Sequence, residues 1–467
     1  MRKHHSQRTL LAASLALLLA ACATPQVAAP ASQPLNIAAL GSEMQAQPVA
    51  GNWWRSIPDS TLQQLIATAL AGNPTLAQAD ARLRSARAGS DLAASTDGLH
   101  INGSANFSRE RISEYANLPS YLTGRWTSLS TVGVDLSYRF DFWGKTRAQL
   151  AASRGLARAA ALEADDSRQW LAWAISSQYL EWRAAQQGQL LLQQDVQLAR
   201  QQLQLSEQKL RSGLSAADDV AQYRAQLAEA EEKLQRLAMR EAQARHALAA
   251  LGGQPQASID TLPAAPLPAW DIALPQLRTG QLGLRADILA ARERVQASSQ
   301  YVKAAKADFY PDVQLSTLAS VSSNELGDLF SYGARSLRLL PAVTLPIFSN
   351  GALNARLDAR TADYELAVAS YNQTLLSAIR DTADRSSNLQ ALQQAETAAA
   401  ANLAARETAA RSINGRVRAG LAAPIQGLAE SRRLQQARFS TLDTHTQRLQ
   451  AQAALLRALG SLPADKE

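Results

Sequence analysis

The stretch KLRSGLSAA at residues 209–217 returns later in the chain as RVRAGLAAP at residues 416–424. Gly213 and Gly420, at matching positions in the two stretches, lie 207 residues apart (420 − 213). The repeating units of solenoid proteins are only about 20–50 residues long. The chain therefore contains a duplicated half-protein, and each half combines strand-like sequence with long helices.

Each half contains a helical pattern of unusual length. Residues 145–211 and 352–418 each cover 67 positions without proline, and such a helix would extend about 100 Å. The return segments predict helical hairpins at 145–251 and 351–460. Leucines in the first pattern recur every seven residues, which indicates coiled-coil packing: Leu191, Leu198 and Leu205. A generic helix-bundle core explains these leucines equally well, but it does not explain the strands that interrupt the helices.

Two segments, at about 101–140 and 312–347, each contain a pair of strand patterns. Apolar residues alternate with polar ones from Thr131 to Phe140, which predicts a strand with one apolar and one polar face. Pro341 and Pro346 argue against a central position for the fourth strand. Four strands cannot close a barrel wide enough to pass a solute, and open edges are costly in lipid. Membrane-spanning strands would therefore have to come from several chains together.

Residues 1–21 have the pattern of an export signal. A basic start is followed by a twelve-residue apolar run at 10–21, which is shorter than the roughly 20 residues that a spanning helix needs. The chain carries a formal net charge of +7, which falls to +4 (44 − 40) without the three basic residues of the signal. This small, evenly spread excess argues against nucleic-acid binding.

Cys22 is the only cysteine in the sequence, so no intramolecular disulfide can form. The sequence LAAC that ends at Cys22 resembles the lipobox of bacterial lipoproteins, which implies a covalent lipid on Cys22. The alternative is a signal peptide that happens to end near a cysteine. Ala23, where an aspartate would resemble an inner-membrane retention signal, favours the outer membrane. Residues 22–52, rich in Pro, Ala, Ser and Gln, predict a lipidated tether.

The sequence offers no constellation typical of an enzyme. Its five histidines are scattered, two of them within the signal, so no metal site is predicted. It contains no phosphate-binding loop and no nucleophile elbow. We therefore expect no catalysis and no cofactor other than the lipid on Cys22.

Four motifs of this chain are WW (53–54), YRFDFWGK (138–145), LPIF (345–348) and LLRALG (455–460). Taken in order, they resemble the TolC-like outer-membrane factor family, in its lipid-anchored multidrug-efflux branch (RND-type, NodT/OprM-like). The resemblance covers residues 53–462, which divide into a first repeat at 53–252, a linker at 253–274 and a second repeat at 275–462, before a tail at 463–467. One departure concerns a helix start, where the family's Arg-Arg-Pro-Asp appears as GLRAD at 283–287.

The family implies a mainly α protomer with a small β part that assembles as a homotrimer. Each protomer contributes four transmembrane strands to a shared outer-membrane barrel and its long helices to a periplasmic tunnel. The resemblance implies a passive channel in a Gram-negative outer membrane, with a periplasmic adaptor and an inner-membrane pump as partners. A periplasmic adaptor or coiled-coil structural lipoprotein is the alternative, but an adaptor would carry one helical hairpin rather than two. The sequence does not identify the exported compounds or the pump class.

The resemblance also implies two sets of functional residues. The hairpin tips, which meet the adaptor in the family, are Gly213, Leu214, Ser215, Gly420, Leu421 and Ala422. Glycine permits a left-handed turn there and leaves the leucine projecting, although both residues could simply cap the turn. The periplasmic gate is predicted at Asp218, Asp219, Arg224, Glu430 and Arg432. The alternative for these charges is a solvated surface, and Glu430 is one residue out of register with the family's aspartate, a rotation of about 100°.

Overall fold

The computed structural model describes residues 33–36, 51–121, 123–263, 265–271, 284–349 and 351–460. The predicted signal at 1–21, Cys22 and most of the predicted tether at 22–52 lie outside the described residues. So do residues 264 and 272–274 of the predicted linker and the predicted tail at 463–467. The predictions of a signal, a lipid on Cys22 and a tail therefore stay predictions.

The described chain is mainly helical with one small sheet, which confirms the predicted fold class. After a short 3₁₀ helix at Trp53–Ser56, the first half contains α1 (Ser60–Gly72), α2 (Pro74–Ser95), β1 (Leu99–Arg111), β2 (Trp126–Phe140), α3 (Lys145–Arg211) and α4 (Ala217–Gly252). A short helix, α5 (Gln256–Asp260), lies in the predicted linker. The second half contains α6 (Ala286–Ala307), β3 (Asp312–Ser323), β4 (Arg335–Thr344), α7 (Ala352–Arg418) and α8 (Pro424–Leu459).

The duplication is visible in the helix lengths. Helices α3 and α7 each contain 67 residues, and α4 and α8 each contain 36. The chain forms two compact units, and each unit draws on both halves. Among the described residues, one unit lies mainly within 84–158 and 292–370 and contains the sheet. The other, which we call the helical unit, lies mainly within 51–83, 159–271, 284–291 and 371–460.

The four strands form one antiparallel sheet in the order β1-β2-β3-β4. Ala105 pairs with Val132, Val132 with Val321, and Val321 with Arg335, so these residues share a face. Because side chains alternate, this register gathers the predicted apolar positions on one face: Ile101, Phe107, Val134, Tyr138, Phe140, Val313, Leu315, Leu337, Leu339 and Val343. The opposite face carries mainly serine, asparagine, threonine and charged side chains.

The fourth strand is shorter than its pattern indicates. It ends at Thr344, whereas the alternation continued to Ile347. Pro346 follows the strand end and has no N–H to donate to a neighbouring strand. Pro341 lies within β4, and β4 is an edge strand of this sheet, where a missing N–H is tolerated.

The core of the helical unit forms where α1 meets the middle of α3. Ile57, Leu62, Leu171 and Leu248 belong to one buried cluster, and the ring of Trp53 stacks on that of Trp270 with centroids 6.3 Å apart. No helix among the described residues has both the length and the apolar content that crossing a membrane requires.

The buried seam of α3 differs from the predicted one by one position. Leu191, Leu198 and Leu205 are only half-buried, whereas Leu192 and Ala199 are buried. Asp195 and Gln202 are buried between them. Helix α3 packs against both α4 and α8, so its buried face is wider than a single coiled-coil seam.

Candidate functional site

The two hairpin tips have the same backbone geometry. At the first, Gly213 has φ +72°, and the Leu214 N–H donates to the Lys209 carbonyl over 2.8 Å. At the second, Gly420 has φ +73°, and the Leu421 N–H donates to the Arg416 carbonyl over 2.8 Å. This is the left-handed helix end that glycine favours.

The tip leucines project into solvent. Leu214 is 77% exposed and Leu421 is 71% exposed. Ser215 and Ala422, which follow them, are half-buried. The duplicated motif thus places one exposed leucine at each hairpin tip.

The predicted gate residues near the first tip have local partners. The Asp219 carboxylate accepts from the Ser215 hydroxyl over 2.7 Å and from the Ala216 N–H over 3.3 Å, which caps α4. These hydrogen bonds lower the pKa of Asp219. Asp218 accepts from the Asp219 N–H over 3.1 Å. Arg224 lies 3.6 Å from Glu207 in an exposed pair.

Arg432, by contrast, lies in a buried network that joins the two hairpins. Its Nε lies 3.0 Å from Asp195 Oδ1, and its Nη1 donates to the Gln202 and Gln226 side-chain oxygens over 3.2 and 2.9 Å. Three helices, α3, α4 and α8, contribute to this network. Arg432 is therefore not one of the solvated charges that the alternative interpretation described.

Glu430 belongs to a separate ion-pair group. Its carboxylate accepts from Arg406 of α7 over 3.2 Å and from Arg433 over 2.9 Å. Burial opposes the ionised form, but the hydrogen bonds and charges of Arg433 and Arg406 outweigh it and lower the pKa of Glu430. Glu430 and Arg432 are thus close in sequence, but Glu430 pairs with arginines of α7 and α8, whereas Arg432 pairs with Asp195 of α3.

Sequence reasoning missed the partners of Arg432 and Glu430. Asp195, Gln202, Gln226 and Arg406 had not been singled out. Asp195 and Gln202 carried an available signal, because they are seven residues apart and fall between apolar positions of a helical seam. A polar residue repeated at core spacing indicates a buried hydrogen-bonded network.

In the sheet-containing unit, the YRFDFWGK motif forms the junction between β2 and α3. The Trp143 ring stacks on Tyr310 with centroids 4.6 Å apart, and its Nε1 donates to the Pro311 carbonyl over 2.9 Å. Lys145 Nζ lies 2.6 Å from Asp308 Oδ1. The motif thus fixes the start of α3 against the segment that leads into β3.

Comparison with known proteins decides the family. The model of the outer membrane efflux protein family matches residues 65–254 and 281–461, once in each half of the chain. This chain belongs to the outer membrane efflux protein family. Both halves match, so the alternative of a periplasmic adaptor or structural lipoprotein is wrong.

Individual relatives agree with this assignment. The multidrug resistance outer membrane protein MdtQ of Escherichia coli O157:H7 is 31% identical over 351 residues, covering 73% of each chain. The crystal structure of the outer membrane protein VceC from Vibrio cholerae is 30% identical, with a TM-score of 0.79 over 89% of this chain and all of that one. The outer-membrane channel OprN is 27% identical, with a TM-score of 0.80 over 94% of this chain and 99% of that one.

These matches confirm the predicted function and location. The protein is an outer-membrane efflux channel, and its role is transport. Among the described residues, no group of three or more His, Cys, Asp or Glu side chains is placed to hold a metal ion.

Proposed function

We propose that three copies of the chain form one passive conduit across the outer membrane, fed by a periplasmic adaptor and an inner-membrane pump. A lipid on Cys22 anchors each copy in the membrane. The observation that carries the proposal is the sheet, whose strands β1 and β4 each have one neighbour and whose apolar face is exposed.

Hydrogen bonding explains why copies must associate. Each backbone group left unpaired in hydrocarbon costs several kcal/mol, and within the described part of the chain neither β1 nor β4 has a partner at its outer edge. Pairing β4 of one copy with β1 of the next satisfies these groups and closes a ring. A ring of three copies has about twelve strands, enough to leave an aqueous interior.

Two adjacent leucines of β4 provide a matched test of membrane insertion. Leu339 lies on the apolar face and Leu340 on the opposite face, and both are exposed in the single chain, by 64% and 47%. An arginine on the lipid face of a barrel costs about 2–4 kcal/mol near the midplane. We therefore expect Leu339→Arg to abolish trimers in outer-membrane extracts, and Leu340→Arg to retain them. Equal loss or equal retention in both variants would contradict the proposed orientation of the sheet.

The adaptor-docking role is proposed for the hairpin tips. Replacing Leu214 and Leu421 by serine should abolish cross-linking to the adaptor and efflux while leaving the trimer intact, because both side chains project from the fold. Leu326→Ser is the matched control, since Leu326 is 69% exposed in the loop between β3 and β4. Retained cross-linking in the double tip variant would reject the docking role.

The gate at Asp218, Asp219, Arg224, Glu430 and Arg432 is likewise a proposal. The buried position of Arg432 between hairpins supports it, because spreading the hairpins would have to break its contacts with Asp195. Single-channel conductance of Arg432→Ala and Asp219→Ala provides the test. Increased leakage through the closed channel is expected, and unchanged leakage in both variants would reject the gate.

A further inference from the structure

The end of the sheet away from the β2–α3 junction carries a positively charged surface. Arg109 and Arg111 lie at the end of β1, and Arg335 begins β4, and all three are exposed. The register places them on the apolar face, since Arg111 pairs with Trp126 and Arg335 pairs with Val321. We call Arg109, Arg111 and Arg335 the outer arginines.

No carboxylate shares this face within the four strands. Glu110, Asp135 and Asp312 all lie on the opposite face. Arg111 lies 2.8 Å from Glu114 in the adjoining loop, but both side chains are at least half exposed, at 50% and 63%. Such a surface pair is weak, and the surface formed by the outer arginines keeps an excess of positive charge.

Two of the outer arginines stack on aromatic rings. Arg109 Cζ lies 5.7 Å from the centre of the Trp126 ring, and Arg335 Cζ lies 5.2 Å from that of Tyr332. Stacking occupies the flat face of a guanidinium, whereas its N–H donors lie in the plane. The rings therefore hold the cations in place and leave the in-plane N–H donors available to an anion.

The position along β1 indicates which anion this is. From Leu99 to Phe107, the apolar face of β1 spans nine residues, or about 30 Å. The apolar band of an outer-membrane barrel is about 25 Å tall and is bordered by aromatic residues. Strands of such barrels tilt by about 35–45°, so this stretch rises by about 23 Å and matches the band. Arg109 follows directly after it, so the proposed orientation puts its guanidinium near the lipid phosphates.

We propose that the outer arginines bind the phosphate groups of lipid A, the phosphorylated glycolipid of the outer leaflet. Guanidinium and phosphate form paired, charge-assisted hydrogen bonds, and the acyl chains would cover the apolar surface beside them. The inference rests on the proposed ring, which brings the outer end of β4 in one copy beside that of β1 in the next. The arginines would repel across this boundary, and a bound phosphate removes the repulsion.

The test uses the full-length lipidated protein in detergent, freed of bound lipopolysaccharide and titrated with diphosphoryl lipid A. The triple variant Arg109→Gln, Arg111→Gln, Arg335→Gln should bind at least ten-fold more weakly than wild type. Dephosphorylated lipid A should bind the wild-type protein as weakly as diphosphoryl lipid A binds the triple variant. The matched control is Arg338→Gln, which removes an exposed arginine from the opposite face of β4 and should leave affinity unchanged.

Three results would overturn the inference. They are equal affinity of the triple variant and wild type, equal affinity for dephosphorylated lipid A, or an equal loss in Arg338→Gln. If the triple variant does not assemble, the corresponding triple lysine variant and Arg335→Gln alone replace it. The charge-retaining variant should then bind within a few-fold of wild type, and Arg335→Gln should bind more weakly than either.

Native mass spectrometry of the same samples separates this inference from the proposed function. A wild-type protein that is not trimeric would contradict the ring itself. A trimer whose lipid A affinity does not respond to these substitutions would leave the ring intact and reject the outer arginines as a lipid site. Inorganic phosphate at the concentration of the lipid should not compete, and displacement by it would also reject the site.

Discussion

Arg432 and Asp195 form a buried ion pair between the two helical hairpins, with Arg432 Nε 3.0 Å from Asp195 Oδ1 and side-chain exposures of only 9% and 2%. The two residues are 237 positions apart in sequence. Gln202 and Gln226 accept further hydrogen bonds from the same guanidinium. A buried pair of this kind is maintained only when its remaining donors are satisfied, and the two glutamines do this.

Removing one partner of this pair should destabilise the protein strongly. Asp195→Ala leaves the buried charge of Arg432 uncompensated, which costs about 3–5 kcal/mol. Urea unfolding followed by circular dichroism should show a correspondingly lower midpoint. The matched control is Glu407→Ala, which breaks an exposed pair with Arg438 across α7 and α8, at 3.6 Å, and should cost about 1 kcal/mol or less. Equal shifts in the two variants would contradict the buried character of the Asp195–Arg432 pair.

The sheet shows what a sequence pattern can predict. Because side chains alternate with a period of two, the sequence alone predicted that Val132 and Phe140 lie on the same, apolar face of β2. The pairing of β2 with β3 agrees with this prediction. The Asp195–Arg432 pair could not be predicted in this way, because it depends on how α3 packs against α8. The same packing explains why Leu192, and not Leu191, is buried.

The tip glycines should respond to alanine in the opposite direction from a glycine within a helix. Gly420 has φ +73°, a left-handed conformation that costs a residue with a Cβ about 1–2 kcal/mol, so Gly420→Ala should destabilise. Gly415 lies within α7, and an added Cβ there meets no atom within 4 Å. Gly415→Ala should therefore stabilise by about 0.5–1 kcal/mol. Thermal unfolding measures both, and shifts of the same sign would contradict the backbone assignment.

Arg285 should be required for stability, although the motif around it departs from that of the family. It lies 2.8 Å from Asp287 and donates to the carbonyl of Ala458, near the end of α8, over 3.0 Å. Hydrogen bonds to charged groups contribute about 1.5–3 kcal/mol, and Arg285→Ala should lower the free energy of unfolding by about that amount. Arg380→Ala is the control, because Arg380 is 85% exposed and its distance to Asp384 is 4.0 Å. A control loss as large as that of Arg285→Ala would reject this role.

Glu430 and Asp166 should give stability a pH dependence of opposite sign. Burial opposes ionisation of Glu430, but Arg433 and Arg406 outweigh it and hold the pKa of Glu430 below 4.5. Its ionised form therefore stabilises the fold above the unfolded-state pKa, and this stabilisation is lost as the pH falls through the folded-state pKa. The stability difference between wild type and Glu430→Gln should be full at neutral pH and should close in acid.

Asp166 is the internal control for the pH dependence expected from Glu430. Burial raises the pKa of Asp166 above 3.8, even though Arg457 lies 3.9 Å away and opposes the rise. The folded state then holds the proton more tightly than the unfolded state, so stability falls as the pH rises from 3.8 through the folded-state pKa. Asp166→Asn should gain stability relative to wild type as the pH rises over that interval, whereas Glu430→Gln should lose stability relative to wild type as the pH rises toward 4.5. Urea midpoints measured from acid to neutral pH would show the two trends, and parallel trends would mean that at least one of the two carboxylates does not titrate as its surroundings require.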